Sequence, residues 1–369
     1  MAALAQTDWS TVQTPVFTVD VARMDANIAA TAAIFAEAGV SLRPHFKTSK
    51  CVQVAQRQRA AGAIGFTCST PAEVRELTAA GFTGLLWAHQ PVGPGKVEFV
   101  VEMAAGLTII VDSFAVAEPI SQAATAAGVT VGYLLDIDTG QGRTGVLPAN
   151  ALAVQNQLKT LPGIELRGVI THEGQLAGYL GDRSALDIAG TDVGARLAAV
   201  AAELGAAGHE CAIVSVGSTP GMRSAPFAEG VTEGRPGTYV YFDGNQTALG
   251  SCEIGQCASS VVTRVVSVNR DGSAIIDAGS KAMSADSISK MKGAGTLVNL
   301  DGSPVSDLQF IETNEEHGFL AGSGTDRLKV GDLLRVIPHH ACGTTNMWSK
   351  LLAVHPDGHT EEWPIVGRH

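Results

Sequence analysis

Alternating strand-like and helix-like segments dominate the first two thirds of the chain. Between about residues 14 and 245, short apolar runs are followed by longer amphipathic stretches, beginning with "TPVFTVD" and "VARMDANIAATAAIFAEAG". Roughly eight such pairs indicate parallel β-α-β units. We therefore predict an α/β fold built on a closed (β/α)8 TIM-type barrel of about 250 residues. A doubly wound open sheet is the second choice, because no GxGxxG follows the first strand.

The pattern changes after about residue 250. The segments "ASSVVTRVVSVNRDGSAIIDAGS" and "KVGDLLRVIPHHACGTTNMWSKLLAVH" are short β runs broken by Gly, Asn and Asp, and no long helical period returns. The sequence therefore predicts two domains, a barrel over 14–250 and a smaller, mostly antiparallel C-terminal β domain over 251–369. Residues 1–13 are expected to pack with the second domain.

Charge and composition exclude several classes of protein. A net charge of −11 and the lack of a basic patch argue against a nucleic-acid partner or an anionic membrane surface. The start, "MAALAQTDWS", does not resemble a signal peptide, and no run of about 18 apolar residues predicts a membrane span. The 6 cysteines stand apart without CxxC spacing, which is typical of a reduced cytoplasmic protein.

Four cations cluster in "RPHFKTSK", although the chain is acidic overall. If the segment is a barrel strand, Arg43, His45 and Lys47 share one face, and Lys47 lies at the C-terminal end where barrel active sites form. Crowding by the other two would disfavour the charged amine and make Lys47 nucleophilic enough for a Schiff base. The alternative is a solvated strand end with ordinary surface cations, as we expect for Lys50.

A glycine-containing turn follows the apolar run before "SVGSTPGM". Gly217, Ser218 and Thr219 offer the backbone N–H groups and hydroxyls that hold a phosphate at the start of a helix. An ordinary Ser/Thr helix cap fits the same residues.

Three further side chains stand near the ends of predicted strands. Arg143 in "GQGRTG" follows an apolar strand with Asp136 and Asp138, and an arginine there is more often part of a structural ion pair. Tyr239 in "GRPGTYVYFD" is, from the residues alone, an aromatic residue on a predicted alternating strand. His172 in "VITHEGQ" could stack on a ring or transfer a proton, but a lone histidine is usually structural.

A histidine and a cysteine stand two residues apart in "PHHACGTTN". In an extended chain His340 and Cys342 share a face, and imidazole with thiolate suits Zn²⁺. Two ligands leave positions for water or substrate, which favours an exchangeable catalytic ion. His-x-Cys pairs also arise by chance, and His339 is an adjacent alternative.

Seven motifs in order resemble one enzyme family. They are "RPHFKTSK", "DIDTGQGRTGV", "SVGSTPG", "GRPGTYVYFD", "IDAGSKAMSAD", "NEEHG" and "GDLLRVIPHHAC-x-T-x-N", preceded by "TPVFTVDVARMDANI". Together they cover about residues 14 to 365. They are similar to the D-threonine aldolase and D-serine dehydratase-like family, fold-type III pyridoxal 5'-phosphate (PLP) enzymes with an alanine-racemase-type barrel.

The resemblance implies a cofactor site. Lys47 is expected to form the Schiff base with PLP, and the turn at Gly217, Ser218 and Thr219 to hold its phosphate. By resemblance, Arg143 lies near the phenolic oxygen of the cofactor.

Other positions follow from the same resemblance. Tyr239 is expected at the cofactor wall and His172 beside the pyridine ring, whereas His340 and Cys342 are expected to bind Zn²⁺ or Mn²⁺. "THEGQ" departs from both branches of the family, because dehydratases commonly read "HAGHSY" and aldolases "YHG-x-x-QH", so a second histidine is absent and Gln175 stands nearby.

The resemblance also implies a reaction. We expect a PLP- and metal-dependent lyase acting on D-3-hydroxy amino acids. His-x-Cys favours a dehydratase that gives a 2-oxo acid and ammonia, because the aldolases carry His-x-Asp. A D-threonine aldolase that gives glycine and an aldehyde is the alternative, and a metal-independent racemase is a weaker one. A homodimer is expected.

Overall fold

The computed structural model describes residues 3–284, 286 and 293–368. The strands in this part of the chain are β1 Val16–Asp20, β2 Ser41–Leu42, β3 Phe66–Cys68, β4 Leu85–Trp87, β5 Leu107–Val111, β6 Val131–Asp136, β7 Ile164–Ile170, β8 Ile213–Val216, β9 Glu233–Gly234, β10 Ser259–Arg270, β11 Ser273–Ile276, β12 Gly295–Val298, β13 Gln309–Thr313, β14 Gly318–Ala321, β15 Leu333–Pro338, β16 Lys350–Val354 and β17 Thr360–Pro364.

Helices fill most of the connections in the first two thirds of the chain. The α-helices are α1 Ala3–Gln6, α2 Val21–Ala38, α3 Val52–Ala60, α4 Pro71–Ala79, α5 Pro94–Glu102, α6 Phe114–Ala127, α7 Ala151–Leu158, α8 Arg183–Ala206, α9 Gly244–Ala248, α10 Ser280–Met283 and α11 Ala341–Met347. Within the described residues, no helix combines the length and the apolar content needed to cross a bilayer.

The chain divides into two compact units that are discontinuous in sequence. The barrel unit comprises Ala30–Lys47, Ala55–Gly237 and Gly367–His369. The second unit comprises Met1–Ala29, Thr48–Val54 and Thr238–Val366. The domain limits at 14–250 and 251–369 stay a prediction.

Eight parallel strands form the barrel unit, in the order β2-β9-β8-β7-β6-β5-β4-β3. A parallel bridge between His45 and Thr67 joins the two ends of this order, so the sheet curls back on itself. Leu86, Ile110 and Leu134 lie on neighbouring strands and pack into one buried cluster. The predicted TIM-type fold is therefore confirmed.

One glycine allows two neighbouring barrel strands to approach closely. Gly168 on β7 has a φ of +147°, and a Cβ there would lie 1.8 Å from the carbonyl oxygen of Ile213 on β8. No side chain fits at that separation, so this position of the barrel requires glycine.

The second unit contains a nine-stranded sheet that is mostly antiparallel. Its main order is β13-β14-β11-β10-β1-β16-β17, and β15 pairs with β10 and β12. The predicted antiparallel β architecture after residue 250 is therefore confirmed.

The first strand lies in a different sheet from the one predicted. We predicted "TPVFTVD" as the first barrel strand, but β1 pairs antiparallel with β10 and parallel with β16 in the second unit. Phe17 and Val19 are fully buried there. An apolar run shows that a strand is buried, and it carries no information about which sheet receives the strand.

The last predicted barrel strand is also displaced. "YVYFDG" was predicted as a strand, but Thr238–Val240 form a 3-10 turn and Gly244 begins α9. The barrel takes β9, Glu233–Gly234, instead. Strands of two residues lack a readable alternation, which explains the error.

Candidate active site

Lys47 stands where the first barrel strand gives way to a turn. Regular pairing covers only β2, the His45 N–H still donates to the carbonyl oxygen of Pro236 at 3.0 Å, and Phe46–Thr48 form one 3-10 turn. The prediction of a continuous strand through Lys47 is therefore wrong, because the chain turns after His45. Lys47 itself is half-buried.

Arg43 is neutralised by a carboxylate on the neighbouring strand. Its Nε donates to Glu233 Oε2 at 2.8 Å, and its Nη1 donates to the carbonyl oxygen of Gly84. The side chains of Arg43 and Glu233 are only 12% and 4% exposed. Arg43 is therefore a poor source of unbalanced positive charge beside Lys47, contrary to our reading of the cation cluster.

His172 is a neutral imidazole among cations. Its Nδ1 lies 2.7 Å from the carbonyl oxygen of Gly217, which can only accept, so Nδ1 carries the proton and Nε2 a lone pair. Burial lowers the pKa of His172 to about 3, and the charges of Lys47, Arg143 and Arg235 act in the same direction. The barrel unit thus brings Lys47 and Arg143 within electrostatic range of His172.

Two consecutive side chains hold the peptide groups of Gly217. His172 donates to its carbonyl oxygen, and Glu173 Oε1 accepts from its N–H at 2.9 Å. The buried Glu173 carboxyl also bonds to Ser218, and burial raises its pKa against the opposing charge of Arg235. The predicted phosphate turn is therefore fixed in place by the segment that follows β7.

The side chain of Arg235 packs against this turn. Its guanidinium donates to Ser215 Oγ at 2.6 Å, to the carbonyl oxygen of Val216 at 3.0 Å and to that of Thr171 at 2.5 Å. A Cβ on Gly217 would lie 2.8 Å from Nη2 of Arg235, so only glycine leaves room for this contact. Burial lowers the pKa of Arg235, and nearby carboxylates including Glu233 partly offset that effect.

The barrel unit suits PLP. The positive charges of three side chains act on His172 beside the turn, namely those of Lys47, Arg143 and Arg235. This concentration of positive charge favours an anionic phosphate and phenolate. The Gly217 N–H is occupied by Glu173, so Gly217 would contribute its small size, and Ser218 and Thr219 would offer polar groups. Arg143 is exposed in the loop after β6, where a ligand can reach it.

Tyr239 lies in the second unit. It is fully buried in the 3-10 turn Thr238–Val240, whereas the sequence suggested a strand. Its place at a cofactor wall stays a prediction.

The His-x-Cys motif spans the start of a helix. β15 ends at Pro338, His340 is the N-cap of α11 in an extended conformation, and Cys342 lies in the first helical turn. The predicted extended His-x-Cys step is therefore wrong. The two side chains still hydrogen-bond to each other, because the N-cap turns the chain between them.

The imidazole of His340 is oriented by a carboxylate. Its Nδ1 lies 2.5 Å from Asp286 Oδ2, which leaves Nε2 as the ring atom for a metal ion. Burial disfavours the charged ring, but the bond to Cys342 and the charges of Cys342 and Asp243 outweigh it and raise the pKa of His340 to about 10. His339 is buried, and burial lowers its pKa.

Two threonine hydroxyls surround the sulfur of Cys342. Thr48 Oγ1 lies 3.1 Å from Sγ and Thr238 Oγ1 lies 3.8 Å from it. Paired imidazole and thiol, with a carboxylate on the outer ring nitrogen, fit a Zn²⁺ or Mn²⁺ ion. Over residues 3–284, 286 and 293–368, no three His, Cys, Asp or Glu side chains form a metal cluster.

Several side chains of the candidate site were not predicted from the sequence. They are Thr48, Glu173, Arg235, Asp243 and Asp286. Each adjoins or lies within a motif that we quoted, such as "THEG" or "GRPG", so proximity to a motif was the available signal. Their contacts join distant parts of the chain, which no local pattern reveals.

Comparison with known proteins matches this architecture. The family of the alanine racemase N-terminal domain matches residues 19–245, and the putative serine dehydratase domain matches residues 258–354. A D-threo-3-hydroxyaspartate dehydratase from Delftia sp. (strain HT23) is 36% identical over 96% of this chain and 97% of the relative. A D-threonine aldolase from Arthrobacter sp. is 31% identical over 97% of this chain and 93% of the relative.

Solved structures of related proteins show the same similarity in their folds. A metal-free C-to-A variant of D-threo-3-hydroxyaspartate dehydratase superposes with a TM-score of 0.91 at 35% identity, covering 99% of this chain and 98% of the other. Sequence, domain order and fold therefore agree: the chain belongs to the D-threonine aldolase and D-serine dehydratase-like family of fold-type III PLP enzymes, with an alanine racemase N-terminal domain and a serine dehydratase-type second domain.

Proposed function

We propose that the chain is a PLP- and divalent-metal-dependent lyase acting on D-3-hydroxy amino acids. It removes water from the substrate and releases a 2-oxo acid and ammonia. The observation that carries this proposal is the pairing of His340 with Cys342, with Asp286 on the outer ring nitrogen. Such a pair is suited to an ion with exchangeable positions.

The cofactors supply the electronic effects. When bound, PLP withdraws electrons from the α-carbon of an amino acid, and Zn²⁺ or Mn²⁺ acts as a Lewis acid on a hydroxyl oxygen. The residues that would hold PLP are Lys47, Arg143 and the turn 217–219, and those that would hold the metal are His340 and Cys342.

The chain's own side chains would transfer a proton, orient the ligand and hydrogen-bond to the metal-binding sulfur. Lys47 would remove the α-proton of the substrate through its Nζ. His172 stays neutral near physiological pH, so it orients and shields a ligand rather than adding a further positive charge. Thr48 would donate a hydrogen bond to the sulfur of Cys342.

Retro-aldol cleavage is the second candidate. It is favoured by the aldolase of Arthrobacter sp., which is 31% identical over 97% of this chain. It would start by removal of the hydroxyl proton instead of the α-proton. A racemase would need a second base and no metal, and the match of 258–354 to a serine dehydratase domain speaks against it.

Product analysis separates these reactions. The PLP-loaded protein with Zn²⁺ or Mn²⁺ is incubated with D-threonine and, separately, with D-threo-3-hydroxyaspartate. Dehydration gives 2-oxobutanoate or oxaloacetate with ammonia, whereas cleavage gives glycine with acetaldehyde or glyoxylate. We expect the 2-oxo acids. Glycine as the main product would assign the aldolase reaction, and the L-isomer as the main product would assign a racemase.

The partner proposed here is a small D-amino acid. A homodimer stays a prediction that sedimentation equilibrium would test. The cytoplasmic location expected from the scattered cysteines also stays a prediction, as does the absence of nucleic-acid or membrane partners.

A further inference from the structure

The backbone on both sides of His340 is held by one short segment. The N–H of Ala341 donates to Asp243 Oδ2 at 2.8 Å, and the carbonyl oxygen of His339 accepts from the N–H of Asn245 at 2.9 Å. These bonds fix the two peptide groups that flank His340. The direction of the His340 side chain therefore depends on the segment 243–245.

Asp243 does more than begin a helix. Its Oδ1 accepts from the N–H of Gln246 at 2.8 Å, which is the usual cap of α9. Its Oδ2 is used for Ala341, at the first residue of α11. A simple cap needs only one of these bonds, as Asp182 shows at the start of α8, where its Oδ1 accepts from Ala185 at 3.0 Å.

The carboxylate also places negative charge near the metal motif. Asp243 is fully buried and interacts electrostatically with His340. A divalent cation held by His340 and Cys342 would be attracted by the same charge, and burial strengthens that attraction.

We propose that Asp243 is a positioning residue for the metal site, holding the backbone between His340 and Cys342 so that both side chains face one ion. It does not itself bind the metal. The proposal rests on the proposed function, because it requires that His340 and Cys342 are metal ligands.

Two substitutions separate the bond to Ala341 from the helix cap. Asp243→Ser keeps a hydroxyl that can cap Gln246, but its side chain is too short to reach Ala341 as well. Asp243→Asn keeps the size but offers only one acceptor oxygen, so its amide N–H₂ meets one of the two backbone donors. Asp182→Ser is the matched control, because it alters an N-cap aspartate that has no link to the metal motif.

The readout is metal affinity rather than turnover. PLP-loaded proteins are stripped with EDTA and titrated with Zn²⁺ against a chromophoric chelator, and Co²⁺ is added separately to record the thiolate-to-cobalt absorption. Loss of a residue that orients a metal ligand typically lowers affinity about 10- to 100-fold. We expect that loss for Asp243→Ser, and a weaker Co²⁺ band, with unchanged PLP absorbance. Asp182→Ser should bind Zn²⁺ like the wild type.

The outcomes are distinct. Zn²⁺ affinity of Asp243→Ser within about twofold of wild type overturns the inference and leaves the proposed function intact. If Asp243→Ser does not fold, Asp243→Asn decides by the same criterion. A wild-type protein that binds neither Zn²⁺ nor Co²⁺ at this motif overturns the metal part of the proposed function, and the inference with it.

Discussion

At the scale of single residues, His172 has a strongly lowered pKa. It has an ordinary histidine pKa in the unfolded chain, near 6.5, and a pKa of about 3 in the folded protein. Burial is the largest cause, and the charges of Lys47, Arg143 and Arg235 add to it. A group of this kind stabilises the fold while it is neutral.

This shift predicts a pH-dependent stability. Because the folded pKa lies below the unfolded one, the stabilisation is complete above pH 6.5 and is lost as the pH falls towards 3. At pH 5 the loss from His172 should be about 2 kcal/mol relative to pH 8. Urea unfolding of the cofactor-free protein at both pH values should show a smaller loss for His172→Gln.

His89→Gln provides the control, because His89 is exposed in the same unit. It should lose as much stability as the wild type between the two pH values. Identical pH dependence of wild type and His172→Gln would contradict the assignment of a neutral His172 with a lowered pKa.

The sequence predicted candidate residues better than it predicted their surroundings. Strand ends and motifs predict Lys47, Arg143 and His172 as candidates, and the barrel unit brings Lys47 and Arg143 within electrostatic range of His172. The reason given for Lys47 was incomplete, because the charge of Arg43 is balanced by Glu233. That ion pair joins residues 190 positions apart, which a local pattern cannot show.

At the scale of elements, the turn after β8 is the predicted phosphate turn of the cofactor site. Its backbone is held by hydrogen bonds with His172 and Glu173, which follow β7 in the chain. The side chain of Arg235 packs against the same turn. The position of Gly217 therefore follows from packing as well as from its bonds to neighbouring elements.

The substitution Gly217→Ala tests this packing. The added Cβ would lie 2.8 Å from Nη2 and 2.9 Å from Cζ of the Arg235 guanidinium, which is itself held by three acceptors. We expect a destabilisation of about 1–3 kcal/mol and a weaker affinity for PLP. Urea unfolding and PLP titration by absorbance measure these two effects.

Gly106→Ala is the control, because a Cβ there would meet no atom within 4 Å. It should change neither quantity appreciably. If Gly217→Ala bound PLP as tightly as Gly106→Ala and were equally stable, the turn would not be the packed site described above.

Long elements were predictable and short ones were not. The helices between barrel strands follow apolar periodicity and punctuation such as Pro71, and the structure has α4 start at that residue. The two-residue strands β2 and β9 and the turn at Tyr239 have no such period. There, pairing with distant strands decides the conformation.

At the scale of the whole molecule, the two compact units interleave along the chain. β1 lies near the start, but its partners β10 and β16 lie after residue 250. The sequence indicates an alternating strand-helix pattern followed by a β-rich pattern. It does not show that the first strand belongs to the second sheet.

This interleaving predicts the behaviour of fragments. A fragment of residues 1–250 lacks both partners of β1 and would expose Phe17 and Val19, which are fully buried in the whole chain. We expect it to aggregate, or to unfold without a cooperative transition in circular dichroism. Coexpression with 251–369 should restore a cooperative transition. A monomeric fragment that unfolds cooperatively alone would contradict the pairing of β1.

The claim that the chain is a metal-dependent lyase using His340 and Cys342 is best tested by removing and restoring the metal. The rate of 2-oxo acid formation from D-threo-3-hydroxyaspartate is measured for PLP-loaded wild type, Cys342→Ser and the control Cys211→Ser, before EDTA treatment, after it, and after Zn²⁺ or Mn²⁺ is returned. We predict that EDTA abolishes the rate and that the metal restores it in wild type and Cys211→Ser but not in Cys342→Ser. A rate that survives complete metal removal, or is fully restored in Cys342→Ser, would contradict the claim.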